Sequence, residues 1–187
     1  MAEQDYVNLF AAGQGGYPTA AGAAFSNFTS LQDISPLPLP VVYPYQLRIG
    51  HKLELEAEGS FSTTGTPTLG MAFLWGATAG AAGSPAVLCQ STSITTGSGA
   101  ASWPWHLRAR GIITAVGSSG SIIISGEWYY GTSLSAVTVV PVPITLALRT
   151  VTIDTTTLKL LGVGAVWNTA SASNSITVNN FTATLQN

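Results

Sequence analysis

Lys52-Leu-Glu-Leu-Glu-Ala-Glu-Gly-Ser-Phe61 alternates without a break. Leu53, Leu55, Ala57, Gly59 and Phe61 fall on one side; Lys52, Glu54, Glu56 and Glu58 fall on the other. A period of two is the signature of a strand with one buried and one wet face. The chain has six Lys+Arg and eight Asp+Glu, fourteen charges in all, and four of them stand on this wet face. The stretch therefore predicts a sheet packed on one side and solvated on the other.

Reading outward from it, the β pattern continues to the C-terminus. Thr63-Thr-Gly-Thr-Pro67 reads as a turn, and 68–75 as a strand with Leu69, Met71, Phe73 and Trp75 in register. Strands are also expected over 86–95, 105–116, 121–130, 136–140, 144–153, 158–167 and 175–185, with Gly117-Ser-Ser-Gly120 as a hairpin loop. Eight to ten strands at a spacing of roughly 10–15 residues, without crossover helices, indicate an antiparallel two-sheet sandwich. About 140 residues suit a jelly roll better than an immunoglobulin-like sandwich of about 100. The fold class is all-β, with domain boundaries expected at 47–187 for the sandwich and 1–46 for an extended N-terminal arm.

The arm contains Glu3, Asp5 and Asp33 but no Lys or Arg. Pro36, Pro38, Pro40 and Pro44 alternate with apolar residues, which favours extended backbone. Tyr6, Leu9, Phe10, Tyr17, Phe25, Phe28, Leu31 and Ile34 are too apolar for a free linker, so the arm should lie on a surface, its own domain or a neighbouring subunit. These eight residues are the candidate anchors to a larger assembly. The arm is expected to be dispensable for folding, so that deleting 1–44 leaves a folded oligomer.

Composition narrows the function classes. Only 7 % of residues are charged, against about 25 % in an ordinary soluble domain, and the net charge is −2. Ser and Thr number 42 of 187 and replace the missing charge. A nucleic-acid partner is disfavoured because neutralising phosphate requires a basic surplus. No apolar run approaches the roughly 20 residues of a spanning helix, so no membrane partner is expected. The first residues lack the basic flank and apolar run of a signal peptide, which points to synthesis in the cytoplasm. Cys89 is the single cysteine, which rules out an internal disulfide framework.

The search for chemistry yields no catalytic, cofactor-binding or metal-binding residues and hence no enzyme. His51 and His106 have no second metal ligand at a suitable spacing. Glu54, Glu56 and Glu58 are like-charged neighbours of the kind that can raise a pKa, but on a regular exposed strand solvation is the better account. Gly162-Val-Gly164 opens like a dinucleotide fingerprint, yet Trp167 occupies the third glycine position. Trp103, Trp105, Trp128 and Tyr129, with Tyr130, form a candidate platform for a cell-surface glycan, against the alternative that the tryptophans pack in the core.

Between Gly111 and Asn187 the only charges are Glu127, Arg149, Asp154 and Lys159. Strands such as Ser121-Ile-Ile-Ile124 are apolar on both faces and need both buried. Self-association, expected as a closed oligomer, would bury them; a monomer whose arm covers an apolar outer face is the alternative.

Leu47-Arg-Ile-Gly50, Gly59-Ser-Phe-Ser-Thr-Thr-Gly-Thr-Pro-Thr-Leu69, Trp103-Pro-Trp-His-Leu107, Thr152-Ile-Asp-Thr-Thr-Thr157 and Trp167-Asn-Thr-Ala-Ser-Ala-Ser-Asn-Ser175 resemble the small jelly-roll virion proteins of tailed bacteriophages. The resemblance spans about residues 47–185. It implies a structural virion subunit, often a homotrimer, that decorates and stabilises the capsid by binding the major capsid protein, or forms part of a tail or fibre with a receptor-binding role. No functional residue is carried over by it.

Overall fold

The computed structural model describes residues 6–9, 22–77, 85–133, 135–143 and 145–187. In chain order the strands are β1 (Tyr6–Asn8), β2 (Phe25–Ser26), β3 (Gln32–Asp33), β4 (Val41–Val42), β5 (Lys52–Ser62), β6 (Thr68–Trp75) and β7 (Ala86–Gln90). They continue as β8 (Ile94–Thr95), β9 (Trp103–Ala115), β10 (Gly120–Ser133), β11 (Ala136–Val142), β12 (Thr150–Ile153), β13 (Lys159–Trp167) and β14 (Ser175–Gln186). Nine of these have four or more residues, which matches the eight to ten expected; the others are short pairings, four of them in the leader.

All pairings are antiparallel and form two sheets. The larger sheet runs β14–β5–β9–β10–β11, with β1 and β2 beside β14 and β12 beside β10. The smaller runs β13–β6–β7, with β3 and β4 beside β13 and β8 beside β6. The chain winds as a doubled ribbon: β5 pairs β14, β6 pairs β13, β7 packs against β12, and the β9–β10 hairpin lies at the middle. First with last and second with second-last is jelly-roll winding.

Alternation supplies the core. The inward residues of β5 are buried, from Leu53 to Phe61, and they meet Trp105, Leu107 and Ala109 of β9 across the pairing. Phe73 of the smaller sheet stacks on Phe181 of the larger at 6.0 Å between ring centroids. Trp128 and Trp167, both fully buried, are the largest side chains in this layer. Burying aromatic and branched side chains between two inner faces is the main stabilising term in such a sandwich.

Two expected strands are broken. The stretch 86–95 divides into β7 and β8 at Ser91, whose hydroxyl accepts the Met71 N–H at 3.0 Å while its own N–H donates to the Met71 carbonyl at 2.9 Å. The stretch 144–153 holds a 3-10 turn, Leu146–Arg149, before β12. Pro143 lacks the N–H that a continuing ladder requires. This break lets β11 and β12 pair with opposite ends of β10.

The leader is part of the sandwich. β1 extends the larger sheet at 184–186 and β2 at 175–176 of β14, while β3 and β4 pair with β13 of the smaller sheet. Crossing from one sheet to the other, it closes one side of the core with Leu9, Phe28, Ile34 and Val42. The Leu9 carbonyl accepts the Val41 N–H at 2.6 Å, joining its two ends. Between β3 and β4 the chain arches over the outer face of the smaller sheet. Leu39 of this arch and Leu31, just before β3, cover Ala72 and Leu74, and the Ser35 hydroxyl accepts the Val163 N–H at 2.7 Å. Gly162 permits the close approach: a Cβ there would stand 2.5 Å from the Ala77 Cβ and 2.7 Å from the Ser35 hydroxyl.

Of the two surfaces considered for the arm, the described residues lie on their own domain. The segment before residue 47 supplies core side chains, which argues against 1–44 being dispensable for folding.

Candidate functional site

The outer face of the larger sheet holds most of the molecule's charge. Glu54, Glu56 and Glu58 of β5 stand opposite Arg110, Arg108 and His106 of β9, which in turn oppose Ser125, Glu127 and Tyr129 of β10. Lys52 lies on the same face, and Arg149 lines its edge. Eight of the fourteen charged residues are thus gathered on one face, four of each sign.

They pair across the strands. Glu54 meets the Arg110 Nε at 3.1 Å, Glu56 meets the His106 Nε2 at 2.7 Å, and Glu127 meets an Arg108 Nη at 2.7 Å. Tyr129 links the last pair: its hydroxyl donates to Glu127 and accepts from Arg108 at 2.9 Å. The Arg108 guanidinium also lies 5.4 Å from the Tyr129 ring centroid, within cation–π range. The Tyr129 hydroxyl, and after it Arg108, hold the Glu127 carboxyl below its usual range. Hydrogen bonding to Glu127 first, then the charge of Tyr129, raises Arg108, and Glu127 likewise raises the Tyr129 hydroxyl. Every shift favours the form already present at neutral pH.

Arg108, Arg110, Glu54, Glu56, Glu127 and Arg149 border an open cleft of about 530 Å³. A general acid–base pair needs two groups whose environments push their pKa values apart. Here the shifts of Glu127, Arg108 and Tyr129 hold each in its ordinary charge state, and the cross-strand pairs fix the register of β5, β9 and β10. The sequence places His106, Arg108 and Arg110 on one face and the three glutamates on another strand; their meeting depends on strand register, which periodicity alone does not reveal. Among the described residues, no group of three His, Cys, Asp or Glu could hold a metal ion. None of their helices is long and apolar enough to cross a membrane. Burial pushes the Cys89 thiol up to about 12, leaving it a poor nucleophile.

The structure separates the candidate glycan residues. Trp105 and Trp128 are core side chains with their indole nitrogens buried, and Trp128 packs on the buried Tyr130 at 4.9 Å between centroids. Trp103 is half-buried edge-on against Phe61. A platform made of all four is therefore corrected; Tyr129 alone presents itself on the outer face. Beside it, at the far end of the ladder, a cleft of about 420 Å³ is lined by Glu58, His106, Tyr129, Pro104, Val137 and Asn179.

Of the eight candidate anchors, Leu9, Phe28 and Ile34 are buried in their own core, so they are not free to grip a second body. Phe25 and Leu31 are half-buried against the same domain. Tyr6 pairs through its backbone with Gln186, while Phe10 and Tyr17 lie outside the described residues.

No protein-family model matches the chain. No curated protein matches it either. Among solved structures, arcelin-5, a lectin-like defence protein from Phaseolus vulgaris, is similar at 8 % identity and a TM-score of 0.40, covering 98 % of this chain and 99 % of its own. An acidic lectin of winged bean, solved with methyl-α-D-galactose, is similar at 6 % identity and a TM-score of 0.32, covering 99 % of this chain and all of its own.

Proposed function

We propose that this protein is a non-enzymatic structural subunit of a bacteriophage virion. It decorates the capsid, associates with copies of itself as a homotrimer, and stabilises the shell by binding the major capsid protein. The observation that carries this reading is the distribution of charge. Ions are concentrated in one self-compensated ladder, and much of the remaining surface is hydroxyl-bearing or apolar, with ten large hydrophobic side chains exposed among the described residues. Such a surface suits contact with protein neighbours at high local density better than life as a dilute monomer. Val137 and Val139, 62 % and 47 % exposed on the edge strand β11, offer the self-association contact. Several contacts per oligomer would make displacement of any one shell subunit require breaking them all, an avidity effect. The test is electron microscopy of particles produced with and without the protein: added density on the outer shell is expected, and its absence from the capsid would reject decoration.

A second reading, a glycan-binding module or receptor-binding tail subunit, is favoured by the cleft between Tyr129, His106, Glu58 and Asn179. An aromatic face beside a carboxylate and an amide suits a sugar ring. Binding on a glycan array that is lost in Tyr129→Ala would support it, whereas a flat array would reject it.

A further inference from the structure

With Leu9, Phe28 and Ile34 of the leader committed to the core, we look for attachment on another surface. Five of the ten exposed large hydrophobic side chains, Tyr43, Tyr45, Ile49, Val116 and Leu158, occupy three loops at one end of the sandwich. The loops are stitched together by backbone hydrogen bonds. Tyr45 N–H donates to Thr155 at 3.0 Å, Thr155 N–H to Gly117 at 3.0 Å, and Gly50 N–H to Ile113 at 2.9 Å. Asp154 braces the third loop by accepting from the Thr156 and Thr157 hydroxyls at 2.6 and 2.8 Å. The apolar side chains are thus held out from a rigid base.

Tyr45 adds a second observation. It is the most exposed of the ten, at 77 %, and its φ is +60°, a left-handed conformation that a bulky side chain adopts only at a cost. A conformation disfavoured by the residue occupying it, and serving to expose its ring, points to a purpose outside the fold.

We infer that this loop end is the docking surface, and that its partner is an apolar protein surface carrying a carboxylate opposite Arg48. Arg48 is exposed beside Ile49 and makes no ion pair among the described residues, nor does Lys52 where β5 begins, while Asp154 and Lys159 face each other at 3.9 Å. A second copy is a poor occupant, since a two-fold contact here would bring Arg48 toward Arg48 with no spare acid. Anionic lipid or nucleic acid would call for a larger cluster of cations than Arg48 and Lys52, the two at this end without an ion pair among the described residues. The inference rests on the capsid-decorating reading above and specifies which surface does the attaching.

The test is co-sedimentation of purified full-length protein with shells lacking it. Wild type is expected to bind. Ile49→Ser/Leu158→Ser and Arg48→Glu should each weaken binding on the order of tenfold or more, with oligomeric state unchanged. Tyr45→Gly removes the ring and relieves the backbone, so it should unfold at the same or a higher temperature while binding less. That combination distinguishes a docking role from a structural one. If wild type fails to bind, decoration itself fails and this inference with it. If wild type binds and the variants bind equally well, this inference alone is overturned. Conversion of the variants from oligomer to monomer would make the loop end a self-contact and overturn it as well. So would unchanged shell binding with variant-sensitive sedimentation on phosphatidylglycerol vesicles.

Discussion

The outer faces of the two sheets solve the same problem in different ways. The smaller sheet has an apolar outer face, with Ala72 and Leu74 completely buried, because the leader arches over it and lays Leu31 and Leu39 on top. The larger sheet keeps its outer face open and furnishes it with Glu54, Glu56, Arg108, Arg110 and Glu127 in cross-strand pairs. One face is closed by the chain's own sequence and contributes stability; the other stays open to solvent. A chain with so few charges can solvate only one face ionically, so the second has to be covered.

The largest break in this comparison comes from removing the cover. Deleting residues 1–44 takes Leu9, Phe28, Ile34, Leu39, Val41 and Val42 from buried positions. Truncating one buried aliphatic or aromatic side chain costs about 2–5 kcal/mol, and a whole domain has only about 5–15 kcal/mol of stability. The truncated protein should fail to fold, seen as loss of a cooperative thermal transition by circular dichroism. A cooperative melt close to the full-length value would show that the leader is only an appendage.

A subtler change pries the cover up without deleting it. In Gly162→Val the side chain needs space already filled by Ala77 and the Ser35 hydroxyl. Overpacking of this kind costs about 1–3 kcal/mol. The lower melting temperature should be accompanied by faster amide exchange at Ile34 and Val163, whose backbones bond at 2.8 Å. Exchange confined to the larger sheet would instead mean that the leader does not report on this contact.

The larger sheet was legible in the sequence because its outer face is solvated: strict alternation in Lys52–Phe61 survives only where one side meets water. β13 is harder to read, since Leu160 to Val166 is nearly continuous in apolar and glycine residues, and the reason for its double burial lies more than a hundred residues away in the leader. Sequence alone suggested that an apolar arm must cover something; it could not say that Leu39 and Leu31 would meet Ala72 and Leu74. The tryptophans misled for a related reason. Trp103-Pro-Trp105 presents two rings two residues apart, and Pro104 interrupts neither strand nor alternation, so both rings turn inward, Trp105 against the close approach allowed by Gly59. The ladder lay half in view: which side chains shared a face was readable, and which of them met was set by register.

Strong acid should weaken the loop end. Hydrogen bonds from the Thr156 hydroxyl and N–H, then from Thr157, hold the Asp154 carboxyl at about 2 against 3.8 unperturbed. A carboxylate with its pKa depressed in the fold contributes stability that is complete above the unfolded value and is lost as pH falls through the folded one. Wild type should therefore lose a small increment of melting temperature between about pH 4 and pH 2 that Asp154→Asn does not lose. Parallel pH profiles for the two proteins would remove Asp154 from the bracing of that loop.

The smallest effect should come from the ladder itself, and that is its most informative property. Arg108, Glu127 and Tyr129 are solvent-facing, and exposed ion pairs are screened and entropically costly to hold. Arg108→Ala should barely move the melting temperature at physiological salt. It should, however, let the Tyr129 hydroxyl titrate differently, because Arg108 and Glu127 both act on that group; ultraviolet difference spectra against pH would read this directly. If Arg108→Ala instead destabilised the protein as much as Gly162→Val does, the two faces would not differ in what they contribute to stability, and the open face would be structural too. A negligible loss of stability together with a changed Tyr129 titration is the result expected of a face whose charges contribute little to folding.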